Sequence, residues 1–432
     1  MWQWIAVAAV ALLAFLILLV LAEPGLLYRV GAAPCPIDSE EFLGLLGTLS
    51  DAQVHRNSRI GVLTNGAAFY EAQLAAIRAA RQSINLESFI FHDSKIGRQF
   101  VDALAERAAS GVKVKLVLDA IGNLATPMSF FGRLIAAGGL VRWYQPVRWY
   151  NFKRLNNRTH RDLLIVDGKV GFLGGAGVND WWVDGDRRGP AWRDTVCRVT
   201  GDLVIALQST FAENWLESAE EILMGTEYFP TWVVGCPVVP VTGPDLPARG
   251  GMVVISTPSA ARSTRARVLF QTLLASATHS IHIATPYFVP DASLRAELIR
   301  AVQQRYVQVR ILTSGPHNNH PTTRLASRRR YGELLKAGVE IWEYQPSMMH
   351  TKCMMVDSVW SVVGSTNFDN RSFGLNDEVN LAVLGSELAD RLNADFENDL
   401  LHSTKIDYEQ WARRPLIERL AATVLLPLDR LE

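Results

Sequence analysis

The run His350-Thr351-Lys352-Cys353-Met354-Met355-Val356-Asp357, with Gly364-Ser365-Thr366-Asn367 six residues further on, decides how this chain reads. Its apolar centre predicts a strand, and on a strand residues 350 and 352 leave the same face. An imidazole beside an ammonium on a rigid surface suits attack on a phosphate whose oxygens a fixed cation neutralises. The Gly-Ser-Thr-Asn turn adds small residues that let backbone N–H groups, a hydroxyl and an amide approach the same phosphate.

A second copy lies upstream. His160-Arg161-Asp162-Leu163-Leu164-Ile165-Val166-Asp167 is followed after six residues by Gly174-Gly175. Two positions differ: Asp162 stands where the first string has Lys352, and Gly177 where it has Asn367, with Asn179 two residues later. The duplication runs well beyond these strings. Phe131 to Pro146 realigns with Tyr331 to Pro346 at an offset of 200, Ser83 to Phe91 pairs with Ser280 to Phe288, and Val112 to Asp119 pairs with Val307 to Gly315. A period this long means two homologous lobes of domain size. The offset falls to 190 at the histidines, so ten extra residues precede His160. There Val147 to Arg154 is basic and aromatic, either a rim that meets lipid headgroups or holds a phosphate beside the site, or a surface loop with packed aromatics.

Composition bounds the partners. The 432 residues carry 43 basic and 43 acidic side chains, which argues against a general electrostatic grip on nucleic acid. The 4 cysteines are scattered, suggesting neither a zinc site nor a disulfide framework, and Cys353 reads as core packing. Residues 1 to 22 hold no charged side chain. As a helix they span about 33 Å, enough for a hydrocarbon core of about 30 Å. No Lys or Arg precedes them, so a retained anchor is favoured over a cleaved signal peptide, although Val20-Leu21-Ala22 fits a cleavage site. Arg29 on the far flank points to catalytic lobes on the cytoplasmic side of a single-pass anchor; a cleaved segment would make the protein secreted or periplasmic.

Along the chain we expect an anchor and flank over 1–30, a helical connector over 31–59, a first lobe over 60–224, a Pro/Gly-rich linker over 225–251, a second lobe over 252–400 and a tail over 401–432. In each lobe helical and strand patterns alternate, as in α/β folds. The tail's Leu416 to Leu428 suits an amphipathic helix on a bilayer or one that packs on its own domain. Trp143, Trp149, Trp181 and Trp182 crowd the first motif and read equally as interfacial or core aromatics.

The string HxKxxxxD(x6)GSxN resembles the signature of the phospholipase D superfamily. Thr285 to Asp291, Asn367 to Phe373 and Leu375 to Glu378 narrow the resemblance to bacterial cardiolipin synthases of that type. The resemblance implies two mixed β-sheet lobes flanked by helices and related by a pseudo-twofold axis. It brings His160 and His350 to one phosphate, one attacking to form a phosphohistidine and the other protonating the departing alcohol. Lys352 binds phosphate, and Glu378 and Asp194 fall where the family places carboxylates that orient its histidines. Gly174, Gly175, Gly364, Ser365, Asn367 and Asn179 are the expected substrate-binding residues. Asp167 and Asp357 are carried over with the motif, though as turn residues they should matter for its shape. No metal or other cofactor is implied. The implied substrates are phosphatidylglycerol and, in some relatives, phosphatidylethanolamine, at a membrane; the resemblance says nothing of oligomeric state.

Asp162 departs from the pattern. A carboxylate about 4 Å from a phosphate charge costs about 4 kcal/mol at an effective dielectric of 20. Three readings follow: Arg158 or Lys153 replaces the missing ammonium and pairs with Asp162; Asp162 holds a donor that binds the acceptor's hydroxyls; or the first motif is damaged.

Overall fold

A computed structural model of the chain describes residues 28–147, 156–187, 189–230, 245–258 and 264–415, together with Trp2, Trp4, Val7, Ala11 and Phe15. Those five are helical and exposed; the rest of the expected anchor, the insertion beyond Val147, and the tail from residue 416 lie outside the described residues. Among the described residues no helix is long and apolar enough to cross a membrane.

Eight strands build the first sheet: β1 (Ser58–Thr64), β2 (Ser83–Ser88), β3 (Lys113–Asp119), β4 (Leu140–Tyr144), β5 (Asp162–Val166), β6 (Val170–Gly174), β7 (Thr195–Gly201) and β8 (Leu246–Pro247), in the order β4-β3-β2-β5-β6-β7-β1-β8. The second sheet uses β9 (Gly250–Ser256), β10 (Ser280–Thr285), β11 (Gln308–Ser314), β12 (Glu340–Tyr344), β13 (Cys353–Val356), β14 (Trp360–Gly364), β15 (Glu378–Leu384) and β16 (Ser403–Lys405), in the order β16-β12-β11-β10-β13-β14-β15-β9. Shift the first seven strands by eight and the two orders coincide, which is the duplication expressed as topology. Within each sheet three neighbours run parallel (β2-β3-β4 and β10-β11-β12) and the remaining pairings are antiparallel. The parallel ladders need crossovers, supplied by helices such as Lys95–Ala109 and Ala292–Arg305. The motif hairpins need only tight turns, made by residues with positive φ: Asp167 (54°) with Gly168 (60°), and Asp357 (52°) with Ser358 (53°).

Strand β2 is buried at all positions, because both sheet faces are covered. Each lobe has its own core against the outer helices. A third core lies between the sheets, where Ile60, Leu163 and Val199 of the first lobe join Met355, Val379 and Leu381 of the second. Cys197 and Cys353 belong to it, both free thiols. Burial of each such side chain stabilises by about 1.5–3 kcal/mol. The shared core therefore fixes one lobe against the other, and with it the cleft between them.

The connector crosses to the far lobe. Its helix Glu40–Leu49 is capped by Ser39 and buries Phe42, Leu43 and Leu46 against Met252, Val254 and Leu269. Trp360 Nε1 donates to the Ile37 carbonyl at 2.7 Å, tying the connector to β14. At the other end β16 extends the second sheet, and Trp411 of helix Tyr408–Ala412 donates to the Arg328 carbonyl at 2.5 Å.

Candidate active site

The two histidines sit where each motif leaves its own sheet and pairs with the opposite lobe. The expected strand over His350 and Lys352 begins only at Cys353. The backbone before it has another partner: His350 N donates to Arg193 O (2.7 Å) and Arg193 N to Met348 O (2.9 Å). The first lobe mirrors this, with His160 N donating to Asp377 O and Asp377 N to Arg158 O, both 2.9 Å. Each contact has a counterpart in the other lobe, as a pseudo-twofold requires.

The carboxylates cross the same boundary. His160 Nδ1 lies 3.1 Å from Glu378 Oε2 and 3.1 Å from the Ser365 carbonyl. His350 Nδ1 lies 2.9 Å from Asp194 Oδ2, which also accepts from Trp182 Nε1 at 2.9 Å. Each lobe thus orients the other's histidine, and each imidazole donates through Nδ1 while Nε2 stays available for chemistry. Ser365 is wholly buried; its hydroxyl bonds Glu378 and accepts from Val379 N, so it positions that carboxylate rather than facing the cleft.

Alike in geometry, the two histidines differ in charge. Burial pulls both down. At His160 the Glu378 charge and hydrogen bond outweigh that burial, and its pKa rises above the usual histidine value. At His350 burial is reinforced by Lys352, and the pKa falls to about 4. Lys352 Nζ stands 3.2 Å from His350 Nδ1, 3.4 Å from Nε2 and 2.9 Å from the His350 carbonyl.

Gly175 explains how Lys352 fits. A Cβ there would stand 2.6 Å from Nζ and 3.2 Å from the His350 carbonyl. The second lobe's lysine therefore occupies space that a missing side chain leaves in the first lobe's turn. Asp162 bonds Ser88 Oγ (2.6 Å) and Phe89 N (3.3 Å) within its own lobe, and burial raises its pKa to about 6. Arg158 does not replace the missing ammonium beside Asp162. Its Nη1 lies 3.5 Å from Asp119 Oδ1 and its Nη2 donates to the Gln145 carbonyl at 2.9 Å. Lys153 lies outside the described residues.

One cleft of about 680 Å³ is lined by His160, His350, Asp162, Gly175 and Asn367 together. Gly174 and Gly364 are not in its lining. Side chains there would meet the carbonyls of Thr195 (2.6 Å) and Val379 (2.2 Å), so both glycines let adjacent strands close up. Asn179 does not line the cleft either; its amide lies 2.6 Å from His92 Nδ1, and Gly177, in the place of Asn367, lines the wall instead. Asp167 and Asp357 anchor the hairpin ends. Asp167 accepts from the backbones of Arg81, Gln82 and Ser83, and Asp357 from those of Thr278, His279 and Ser280, all at 2.7–3.1 Å.

Several lining groups were given no role in the site by the sequence. Trp182 and Trp192 pack on His350 with ring centroids 5.5 and 5.3 Å away. The only signal for Trp192 was its place two residues before Asp194. Arg371 and Asn376 also line the cleft; they lie in the stretches Asn367 to Phe373 and Leu375 to Glu378 that narrowed the resemblance, but neither was given a role in the site. Among the described residues no group of three His, Cys, Asp or Glu side chains is arranged to hold a metal.

Residues 74–187 and 270–400 match the family described as cardiolipin synthase, PLD-like domain. The chain is 34% identical over 383 residues to a probable cardiolipin synthase, YwiE, of Bacillus subtilis, covering 88% of this chain and 74% of that protein. It is 31% identical over 412 residues to the cardiolipin synthase of Geobacillus kaustophilus, covering 94% and 79%. Cardiolipin synthase A of Pseudomonas fluorescens is 33% identical over 371 residues, covering 85% and 74%. Among solved structures, phosphatidylserine synthase from Haemophilus influenzae shares the fold, with TM-score 0.65 and 14% identity over 89% of this chain and 96% of that one.

Proposed function

The chain belongs to the phospholipase D-like cardiolipin synthase family, and from that premise we propose how its residues divide the work of moving a phosphatidyl group between phospholipids. The enzyme is a phosphatidyltransferase. One observation carries the division of labour: two imidazoles line one cleft, each held by the other lobe's carboxylate, with pKa values pushed in opposite directions.

His350, neutral and with Nδ1–H held by Asp194, attacks phosphorus through its Nε2 lone pair. The phosphorus–oxygen bond to the departing alcohol breaks as His160, which keeps its proton because of Glu378, gives it to that oxygen. Lys352 and the backbone around Gly175 face the phosphate charge. In the second half His160, now neutral, takes the proton of the incoming hydroxyl. That oxygen attacks phosphorus, and the phosphorus–nitrogen bond to His350 breaks. Asn367 has a buried Oδ1 at the cleft with no partner among the described residues, and it serves substrate hydroxyls. Asp167 and Asp357 hold the motif's shape.

The substrates are phospholipids, phosphatidylglycerol as donor and as acceptor, with phosphatidylethanolamine an alternative partner. Residues 1–22 anchor the enzyme in a single pass, with the lobes on the cytoplasmic side. Mass spectrometry of products after incubation with phosphatidylglycerol vesicles, with and without phosphatidylethanolamine, tests this. Four-chain diphosphatidyl product with glycerol release is expected; phosphatidic acid as sole product would replace transfer by hydrolysis.

A further inference from the structure

The shared core holds the lobes together through apolar contacts, which have no preferred direction. In-line attack asks for more, since a nucleophile misplaced by about 1 Å loses about 10²-fold in rate. His350 and Asp194 come from different lobes, so their two backbones must be registered by something directional. The Arg193 side chain, which the steps above do not use, meets that need. It is buried and reaches from the first lobe to Asp399, which helix Ser386–Leu401 of the second lobe presents. Arg193 Nε donates to Asp399 Oδ1 at 3.0 Å, and Nη2 lies 2.9 Å from Asp399 Oδ2. The remaining nitrogen, Nη1, donates to the Asp194 carbonyl (2.7 Å), to Thr195 Oγ1 (2.9 Å) and to Thr351 Oγ1 (3.2 Å). Thr195 follows Asp194 and Thr351 follows His350. One guanidinium therefore clips together the backbones that carry the nucleophile and its carboxylate, and a helix carboxylate fixes the clip.

The other half of the site exchanges these parts. Asp377 stands there in the place of Arg193, bonding the backbone of His160 as Arg193 bonds that of His350. The guanidinium comes instead from Arg161, which follows His160. Its Nη1 donates to the Thr210 carbonyl at 3.1 Å and its Nη2 to Glu213 Oε2 at 2.8 Å, both on helix Leu203–Ala219. It approaches Asp377 only to 3.7 Å. Of the two halves, the one with His350 has the closer grip across the lobes. We propose that Arg193, seated on Asp399, is a positioning residue that aims His350 at phosphorus and sets the rate at which the phosphohistidine forms. The inference rests on the reading of His350 as nucleophile, and adds to it a side chain outside the cleft lining. Directional, charge-assisted hydrogen bonds from a planar fork suit the task. Lysine does not replace it: one ammonium meets Asp399 or the acceptors of Nη1, and not both sets.

The test uses the full chain in excess over a phosphatidyl donor with a p-nitrophenol leaving group, presented in detergent micelles. Single-turnover release of nitrophenol is followed as enzyme concentration rises, giving a saturating rate and a half-saturating concentration. Protein that is merely misfolded dilutes the active enzyme, so it raises the half-saturating concentration and leaves the saturating rate alone. Arg193→Lys should lower the saturating rate by about 10²-fold with half-saturation unchanged. Thr351→Val keeps the side chain's shape and removes one acceptor of the clip; it should lower the saturating rate by about tenfold. A wild-type saturating rate in either folded variant, or a loss confined to half-saturation, overturns the role. If Arg193→Lys does not fold, Thr351→Val decides by the same criterion. Equal rates in wild type and His350→Ala defeat the nucleophile reading itself, and this inference with it.

Discussion

The His160 half of the site and the His350 half are built from the same repeat, share backbone geometry, and differ in charge. Both histidines are gripped by the opposite lobe's backbone and carboxylate. Yet Lys352 stands against one ring, while residue 162, its counterpart beside the other, is an aspartate. The exchange has matched partners. Lys352 reaches toward Gly175, where there is no side chain to obstruct it. By the same twofold a lysine at 162 would extend toward residue 365, where a serine hydroxyl is already bonded to Glu378. A duplicated scaffold can thus hold geometry constant while local charge gives its two copies different duties. Under the proposed division of labour, Asp162 belongs to an asymmetric site, and the Asp162 variants below test that against a ruined motif.

The comparison can be broken most sharply at the nucleophile. His350→Ala should lower transfer by about 10³-fold or more with an unchanged circular dichroism spectrum; retained turnover would remove the second motif from the chemistry. Next comes Lys352→Met, expected to cost about 10²-fold or more in kcat/KM. It should also move the acidic limb of the pH profile. His350 must be unprotonated to attack, so activity falls as pH drops through its value of about 4. Without the ammonium that value rises, and the limb shifts to higher pH. An unmoved limb would detach Lys352 from the nucleophile.

Glu378→Gln sharpens the other half. His160 must carry a proton in the first step, so activity is lost as pH rises above its raised value. Removing the carboxylate charge lowers that value and brings the alkaline limb down. A shift of one unit means roughly a tenfold loss on that limb. Asp162 gives a smaller and more discriminating effect. Asp162→Asn keeps hydrogen-bonding capacity toward Ser88 and should change turnover by about threefold or less, the scale of a net hydrogen-bond change below about 1 kcal/mol. Asp162→Lys should impair the enzyme, and a gain would return the first motif to being a weakened phosphate clamp. Least for catalysis and most for stability, Asp357→Ala removes an acceptor for three backbone donors. It should lower stability by about 1.5–3 kcal/mol in urea denaturation while kcat at low temperature changes little.

Much of this was legible because it is local. The motif strings, their offset and the strand–helix alternation come from patterns a few residues long, and the paired carboxylates could be placed by aligning one repeat on the other. What escaped is what the lobes do to each other. Nothing in the spacing says that Glu378 serves His160 and Asp194 serves His350, since each pair is joined only when the sheets pack across their shared core. The expected strand through His350 fails for the same reason: its backbone donors belong to Arg193. Asn179 resembled a displaced copy of Asn367, but a two-residue shift turns it toward His92. Trp192 joins the site through tertiary position, and Arg371, although inside a quoted stretch, had no assigned role until the cleft placed it.

Identifying the phosphorylated residue tests the account most directly. A phosphodiester donor with a p-nitrophenol leaving group needs little help from an acid, so His160→Asn should still form the covalent intermediate and release a burst of nitrophenol. Alkaline quench and peptide mapping by mass spectrometry should then find the phosphatidyl group on the peptide bearing His350, and none in His350→Ala. The label on residue 160 of the wild-type enzyme, or no burst in His160→Asn, would contradict the division of labour between the two halves.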